Sequence, residues 1–394
     1  MQELQKKLWE LTEESTRIIN THPEYFKFYW RHGDYKFKNP NLANWYEQET
    51  GHFCEYHHTK IDDIRLALED KSFDINHDYN IDFLKHLRNK YDHITLFTSG
   101  GWDSHTVFMK AMDNDIFIDL LYTWLWLDEY NSGNQEIIAN VYPLLDLFRG
   151  KYGRYHAFIT NWEIAEQYWE DEWTMFTSSS PCPLPMNLCT QVKPGYDSAK
   201  ILGLTDEQMG NFLPTQNSVA IKGNDKPHIL LYNDKWYVIA FDTHDGSSGD
   251  INCIHFWFEP ENIKSFVKDA RIYREYLLNN HERRDRFGKL EFFKLSNPGN
   301  EINQYINRRP IIDSNAQFSK FDKQWPRWKD AYDNNWTVMN NYFRNINNFL
   351  KVFPGSDRDN FKKYNQNRKW AWGIDIDTLE IYTQAELIPD GFDL

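Results

Sequence analysis

Apolar residues recur at helical spacing from 2 to 20, where Leu4, Leu8, Leu11, Ile18 and Ile19 share one side, and this predicts an amphipathic helix. From His22 to His58 the periodicity is lost. Aromatic residues crowd the stretch, Asn39-Pro40 reads as a turn, and an irregular segment is expected. Thr59-Lys60-Ile61-Asp62 reads as a helix start ahead of Ile64, Leu66 and Leu68. A short helix over Ile81 to Leu87 then leads into an apolar, β-branched strand, Ile94 to Phe97. From there the pattern alternates. Thr106 to Met112 is helical, Ile116 to Leu125 β-like, and Gln135 to Phe148 helical with an interruption at Pro143. Tyr155 to Thr160 is a further strand and Trp162 to Phe176 a further helix. Such alternation implies right-handed crossovers and a parallel sheet covered on both faces. Ligands of these sheets sit at the carboxyl ends of the strands.

Thr177 to Gly195 is loop-like, and Ile229 to Phe241 reads as a hairpin turning at Asn233-Asp234. After the glycine-rich "DTHDGSSGD" comes an apolar strand, Ile254 to Phe258. Pro260 then opens a helix whose inner face is Ile263, Phe266, Val267, Ala270 and Tyr273. Beyond Asn297 the composition shifts to Asn, Trp and Arg, and Trp336, Met339, Tyr342, Phe343, Ile346 and Leu350 mark a helix. The chain therefore divides into a helical and irregular segment (1–90), an α/β domain with an inserted hairpin (91–296) and a mainly helical region (297–394).

At 394 residues, 41% of them hydrophobic and 17% aromatic, the chain can bury two cores or one large one. The longest apolar run, Ile116 to Leu127, contains Asp119 and is too short to span a bilayer. Met1 begins a charged helix with no apolar signal region, so a cytoplasmic protein without a membrane partner is expected. The four cysteines are scattered, which fits reduced thiols. A net charge of −14 argues against broad nucleic-acid coating. Lys362, Lys363, Arg368 and Lys369, interleaved with Phe361, Tyr364 and Trp370, form a local basic patch, for which a solvated helix face is the plainer reading. A small-molecule substrate is expected ahead of tRNA, and the oligomeric state is left open.

The junction between the first strand and helix of the alternating region, "HITLFTSGGWDSHTVFMKAM", carries the chemistry. Ser99-Gly100-Gly101-Trp102-Asp103-Ser104 has no side-chain bulk where the backbone turns. Glycines there permit positive φ and close approach of a ligand, and the helix that follows aims N–H groups and its positive dipole end into the turn. This is an anion cradle. At average residue usage its five specified positions arise by chance on the order of once in 2,000 chains of this length. A ligand-free tight turn would need the glycines but not the aspartate and flanking serines. Neither G-x-x-x-x-G-K-[ST] nor G-x-G-x-x-G occurs in the chain.

The run resembles the PP-loop, S-G-G-x-D-S, of the N-type ATP pyrophosphatases, which include asparagine synthetase and the preQ0-forming synthetase. The resemblance is strong over Thr95 to Ser104 and extends as topology over roughly 90 to 180. It implies an adenine nucleotide alpha hydrolase-like parallel-sheet core with N-terminal and C-terminal additions. It implies an adenylating ligase that cleaves ATP between its α- and β-phosphates, activates a carboxylate or amide oxygen and joins it to an amine or ammonia. By position, Ser99, Gly100, Gly101 and Ser104 would hold phosphates and Asp103 would hold Mg²⁺, with Asp103 and Ser104 as the catalytic pair. Phe97 would join the nucleotide site, and Tyr122, Thr123 and Trp124 would shape the base pocket, with core packing as a competing and compatible explanation. One loop aspartate suffices chemically, because Mg²⁺ takes few carboxylates alongside phosphate oxygens and water. Trp102 occupies the variable position and is assigned to packing.

Other candidates are weaker. Asp128 and Glu129 follow the second strand and suit a metal or substrate contact, or loop solvation. Cys182 and Cys189 raise sulfur transfer to a nucleobase or tRNA as an alternative, but no Cys-x-x-Cys pair accompanies them. Lys193 and Lys200, or Arg283, Arg284 and Arg286, could neutralise pyrophosphate, although surface cations usually have no specific task. His57-His58 and His105 lack a second ligand pair at zinc spacing, so metal ligation beyond Mg²⁺ is not expected. Residue 2 is Gln, so an N-terminal glutaminase of the asparagine synthetase type is not expected. A non-catalytic ATP-binding module is the third reading; retention of Asp103 and Ser104 speaks against it.

Overall fold

The computed structural model describes residues 2–23, 26, 28–69, 74–98, 100–125, 139–152, 158–159, 171–177, 217–223, 227–233, 235–241, 253–257, 259–279, 292–293, 347–348, 351–353 and 370–387. Helix α1 (Gln2–Thr21) buries Leu8, Thr12, Ser15 and Ile19, which recur at helical spacing. The stretch from His22 to His58 is expected to be irregular, but its described residues from 28 onward form three strands and a helix. Strands β1 (Phe28–His32), β2 (Tyr35–Phe37) and β3 (Glu55–His58) pair antiparallel in the order β2-β1-β3. Here aromatic side chains alternate across a short sheet: Trp30 pairs with Tyr56 and Phe28 with His58 on the buried face, while Arg31 pairs with Glu55 on the other. Strands this short and this uniformly aromatic hide their period. The supposed turn at Asn39-Pro40 starts helix α2 (Pro40–Thr50). The Asn39 side chain accepts the Leu42 N–H at 3.0 Å, and Pro40 occupies the first turn, where its missing donor costs nothing.

Helices α3 (Ile61–Leu68) and α4 (Tyr79–Lys90) precede the alternating region. That region runs through β4 (His93–Thr98), α5 (Trp102–Asp113), β5 (Leu120–Leu125), α6 (Tyr142–Tyr152), β6 (Phe158–Ile159), the single turn α7 (Thr174–Thr177) and β7 (Ser218–Lys222). The interruption expected at Pro143 falls just ahead of it: residues 139–140 are helical, Val141 breaks the helix, and α6 restarts with Pro143 at its second position, where a helix tolerates it. A hairpin of β8 (His228–Tyr232) and β9 (Lys235–Phe241) follows, with Asn233 at φ 48° in its turn. The chain then returns as β10 (Cys253–His255) and α8 (Ile263–Asn279), the latter preceded by one tight turn at Pro260–Asn262. Beyond these lie β11 (Phe292–Phe293), β12 (Trp370–Asp375), β13 (Ile381–Tyr382) and the short α9 (Gln384–Leu387).

Strands β10-β7-β4-β5-β6 form a sheet in which every pairing is parallel, so the fold is mixed α/β. The hairpin inserted between β7 and β10 belongs to a second sheet, β11-β8-β9-β12-β13, whose pairings are antiparallel. In the C-terminal region, expected to be mainly helical, the described residues 347–348 and 351–352 are helical, residues 370–387 give two strands and one short helix, and β12 pairs with β9. One hydrophobic cluster runs from Leu8 through Trp30, Leu96 and Phe256 to Trp372, so the three sheets share a core.

The amino end of the parallel sheet is fixed by a charge inside an apolar run. Asp119 Oδ2 accepts the Ile94 N–H at 2.7 Å and an Arg88 guanidinium N–H at 2.6 Å, and Arg88 also donates to the Phe117 carbonyl. This ties α4 to β4 and to the approach to β5. No helix among the described residues is long and apolar enough to cross a membrane.

Candidate functional site

The first parallel strand in the chain, β4, lies in the middle of its sheet. The next two, β5 and β6, extend it on one side; β7 and β10 extend it on the other. The winding direction therefore reverses between β4 and β7, which opens a crevice at the carboxyl ends of those strands. The glycine turn leaves β4 at that point. Gly100 has φ +81°, a left-handed value that requires glycine, whereas Gly101 has φ −81° and serves as an extended N-cap to α5. Because Gly101 has no side chain to cap the helix, the cap position adds no competing acceptor at the N-terminus of α5. The helix begins with the His105 N–H donating to the Gly101 carbonyl at 3.0 Å, and the Ser104 hydroxyl also reaches that carbonyl at 3.3 Å. Ser104 is buried, and Asp103 is half-buried in the first turn, where a carboxylate is favoured by the helix dipole.

Register gathers the other expected residues at this edge. Phe97 and Thr98 lie beside Tyr122 and Thr123 of β5, so the backbone of all four adjoins the turn. Ser99 lies outside the described residues, as do Asp128, Glu129, Cys182, Cys189, Lys193, Lys200, Arg283, Arg284, Arg286, Lys362, Lys363, Arg368 and Lys369. Among the described residues no group of three or more His, Cys, Asp and Glu side chains could hold a metal. Magnesium at a phosphate site asks for less, one or two carboxylates. His57 and His58 sit on β3 and His105 on α5.

The crevice has a second wall that the sequence reading missed. Lys222, at the end of β7, registers with Phe97 on one side and with His255 of β10 on the other, and it is only 3% exposed. Gly223 follows immediately, and a Cβ built on it would lie 2.7 Å from Ser104 Cα. The Trp257 indole N–H donates to the Gly223 carbonyl at 2.9 Å, and the Phe256 N–H donates to the Lys222 carbonyl at 3.0 Å. Glu259, also buried, accepts the His255 N–H at 3.4 Å. The N-terminal sheet reaches this edge as well: the Phe28 ring meets His58 at 4.3 Å and His255 at 6.2 Å, edge-on in both cases. The available signal was "SVAIKG", a short apolar run ending in glycine as the run into Gly100 does, but β7 is too short to stand out by periodicity. Thr98 adds a last feature. Its hydroxyl is buried, with no hydrogen-bond partner among the described residues.

No family model, no curated protein and no solved structure matches this chain.

Proposed function

We propose that this chain is an ATP-dependent ligase of the PP-loop kind, which forms AMP and pyrophosphate while activating a carboxylate or amide oxygen for attack by an amine or ammonia. The observation that carries the reading is the Ser99-to-Ser104 run at the end of β4, next to the point where the parallel sheet reverses its winding. Phosphate oxygens suit that location because backbone N–H groups and a helix N-terminus converge there. Gly100 supplies the left-handed turn, Gly101 leaves the N-terminus of α5 without side-chain bulk, and Ser104 offers a hydroxyl. Asp103 suits Mg²⁺, since it is a carboxylate with solvent access in the same turn. The buried Thr98 hydroxyl beside the turn fits the same interpretation, because a polar atom so placed is costly unless a ligand or solvent completes its bonding. An adenine nucleotide alpha hydrolase-like core is the finer fold assignment that belongs with this reading.

The test is product analysis. Purified protein is given Mg-ATP with a panel of small carboxylates and amine donors, and nucleotide products are resolved by mass spectrometry. AMP with pyrophosphate is expected; ADP with phosphate as the only products would reject the assignment.

A further inference from the structure

We infer that Trp257, acting through Gly223, is a positioning residue that sets the height of the first turn of α5 against the end of β7; the inference rests on the phosphate role proposed above for Ser104. Gly223 is required there by space. Its φ lies outside the left-handed region, yet an added Cβ would meet Ser104 Cα at 2.7 Å, Ser104 N at 3.2 Å and Ser104 Cβ at 3.3 Å. The nearest of these atoms are backbone, so no side-chain rotation relieves the overlap. Any larger residue must push the start of α5 away from β7, and with it the groups offered to a phosphate.

What keeps Gly223 against Ser104 is the other end of the contact. The Trp257 indole N–H holds the Gly223 carbonyl, while the Phe256 N–H holds the preceding carbonyl of Lys222. Trp257 is buried and packs edge-on against Phe256 at 5.2 Å, and Phe256 packs on Phe83 of α4 at 5.4 Å. A hydrogen bond in such surroundings is stiff, because neither partner can exchange to water. The Thr98 hydroxyl independently points to a ligand at this edge. It is 3% exposed, has no hydrogen-bond partner among the described residues, and by strand alternation shares the Leu96 face of the sheet. Ile221 registers with Leu96, so Gly223, two residues on, follows on that same face.

The experiment compares wild type, Trp257→Phe, Gly223→Ala and a control, Trp372→Phe, all as full-length protein. Trp257→Phe keeps a buried aromatic ring and removes the N–H together with the pyrrole half of the indole. Trp372→Phe does the same at a buried indole whose N–H has no partner among the described residues. Affinity for Mg-ATP and for magnesium pyrophosphate is measured by calorimetry well below each variant's Tm. The expected result is a loss of affinity of about tenfold in Trp257→Phe, the scale of one buried hydrogen bond, a larger loss in Gly223→Ala, and none in Trp372→Phe. A purely structural role would lower Tm and leave affinity unchanged. If wild type binds both probes and the two crevice variants bind them equally well, the positioning role is overturned while the ligase reading stands. If wild type binds neither probe, both fall. Should Gly223→Ala fail to fold, Trp257→Phe alone decides.

Discussion

Asp103 is the residue on which the proposed chemistry depends most directly. It lies in the first turn of α5 and is half-buried, so its replacement removes charge without opening a core cavity. Asp103→Ala is expected to keep the fold, as read by circular dichroism and Tm, and to lose about 3 to 4 kcal/mol of transition-state stabilisation, roughly a hundred- to thousandfold in turnover. Unchanged turnover would remove it from the metal role. His57 illustrates a different effect of environment. Burial, with help from the Arg31 charge and a smaller push from Lys36, and against the pull of Glu55, brings its pKa from 6.5 down to about 4. The unfolded chain therefore binds a proton that the folded chain refuses between those values. Stability from this group is present above pH 6.5 and is lost as pH falls towards 4. Thermal melts across that range should show a steeper acid decline in wild type than in His57→Gln; parallel curves would show that His57 does not contribute.

Among the elements, the connection between α4 and the first two parallel strands depends on one buried carboxylate. Asp119 receives both the Ile94 N–H and the Arg88 guanidinium, and Arg88 continues to the Phe117 and Tyr91 carbonyls. Asp119→Ala leaves that guanidinium without its counter-charge and a ladder N–H without an acceptor. Removing one partner of a buried pair costs about 3 to 5 kcal/mol, so denaturant unfolding should show a loss near that size, and a loss below about 1 kcal/mol would show that the clamp is dispensable. In the sequence this aspartate appears only as the charge that breaks an apolar run. Its role depends on Arg88 arriving from a separate helix. The reverse holds for α8, whose inner face of Ile263, Phe266, Val267, Ala270 and Tyr273 is legible from spacing alone and is buried as expected.

Across the whole molecule, distant segments close a common core. Trp372 of β12 is fully buried and packs on Phe266 of α8 at 4.2 Å, although about a hundred residues separate them. Arg65 of α3 meets Glu386 of α9 at 2.5 Å, and the Asn41 amide of α2 donates to the Met175 carbonyl at 2.9 Å. Trp372→Ala should lower stability by about 3 to 5 kcal/mol, the usual range for a large aromatic removed from a core. Because the hydrophobic cluster is continuous from α1 to β12, fluorescence and circular dichroism should report one coincident transition in wild type. Separate transitions would show that the sheets unfold as independent units.

The sequence by itself determined the elements whose signal is local. The strand–turn–helix at 93–113, the Asn233 hairpin and the apolar face of α8 are each specified by residues within a few positions of one another, through period, turn residues and steric freedom. The glycine turn was legible as a sharp strand-to-helix turn for the same reason, since left-handed φ at Gly100 and an N-terminal helix turn are local properties. Tertiary structure alone decided what stands opposite it. Gly223, held by Trp257, reaches Ser104 only because β7 pairs beside β4, a contact across more than a hundred residues for which backbone pairing leaves no periodic trace in so short a strand. The small antiparallel sheet was hidden likewise, because its strands are short and its second face mixes the buried Tyr29 with Arg31, Glu55 and His57, whose pairing becomes visible only when β1 and β3 lie side by side.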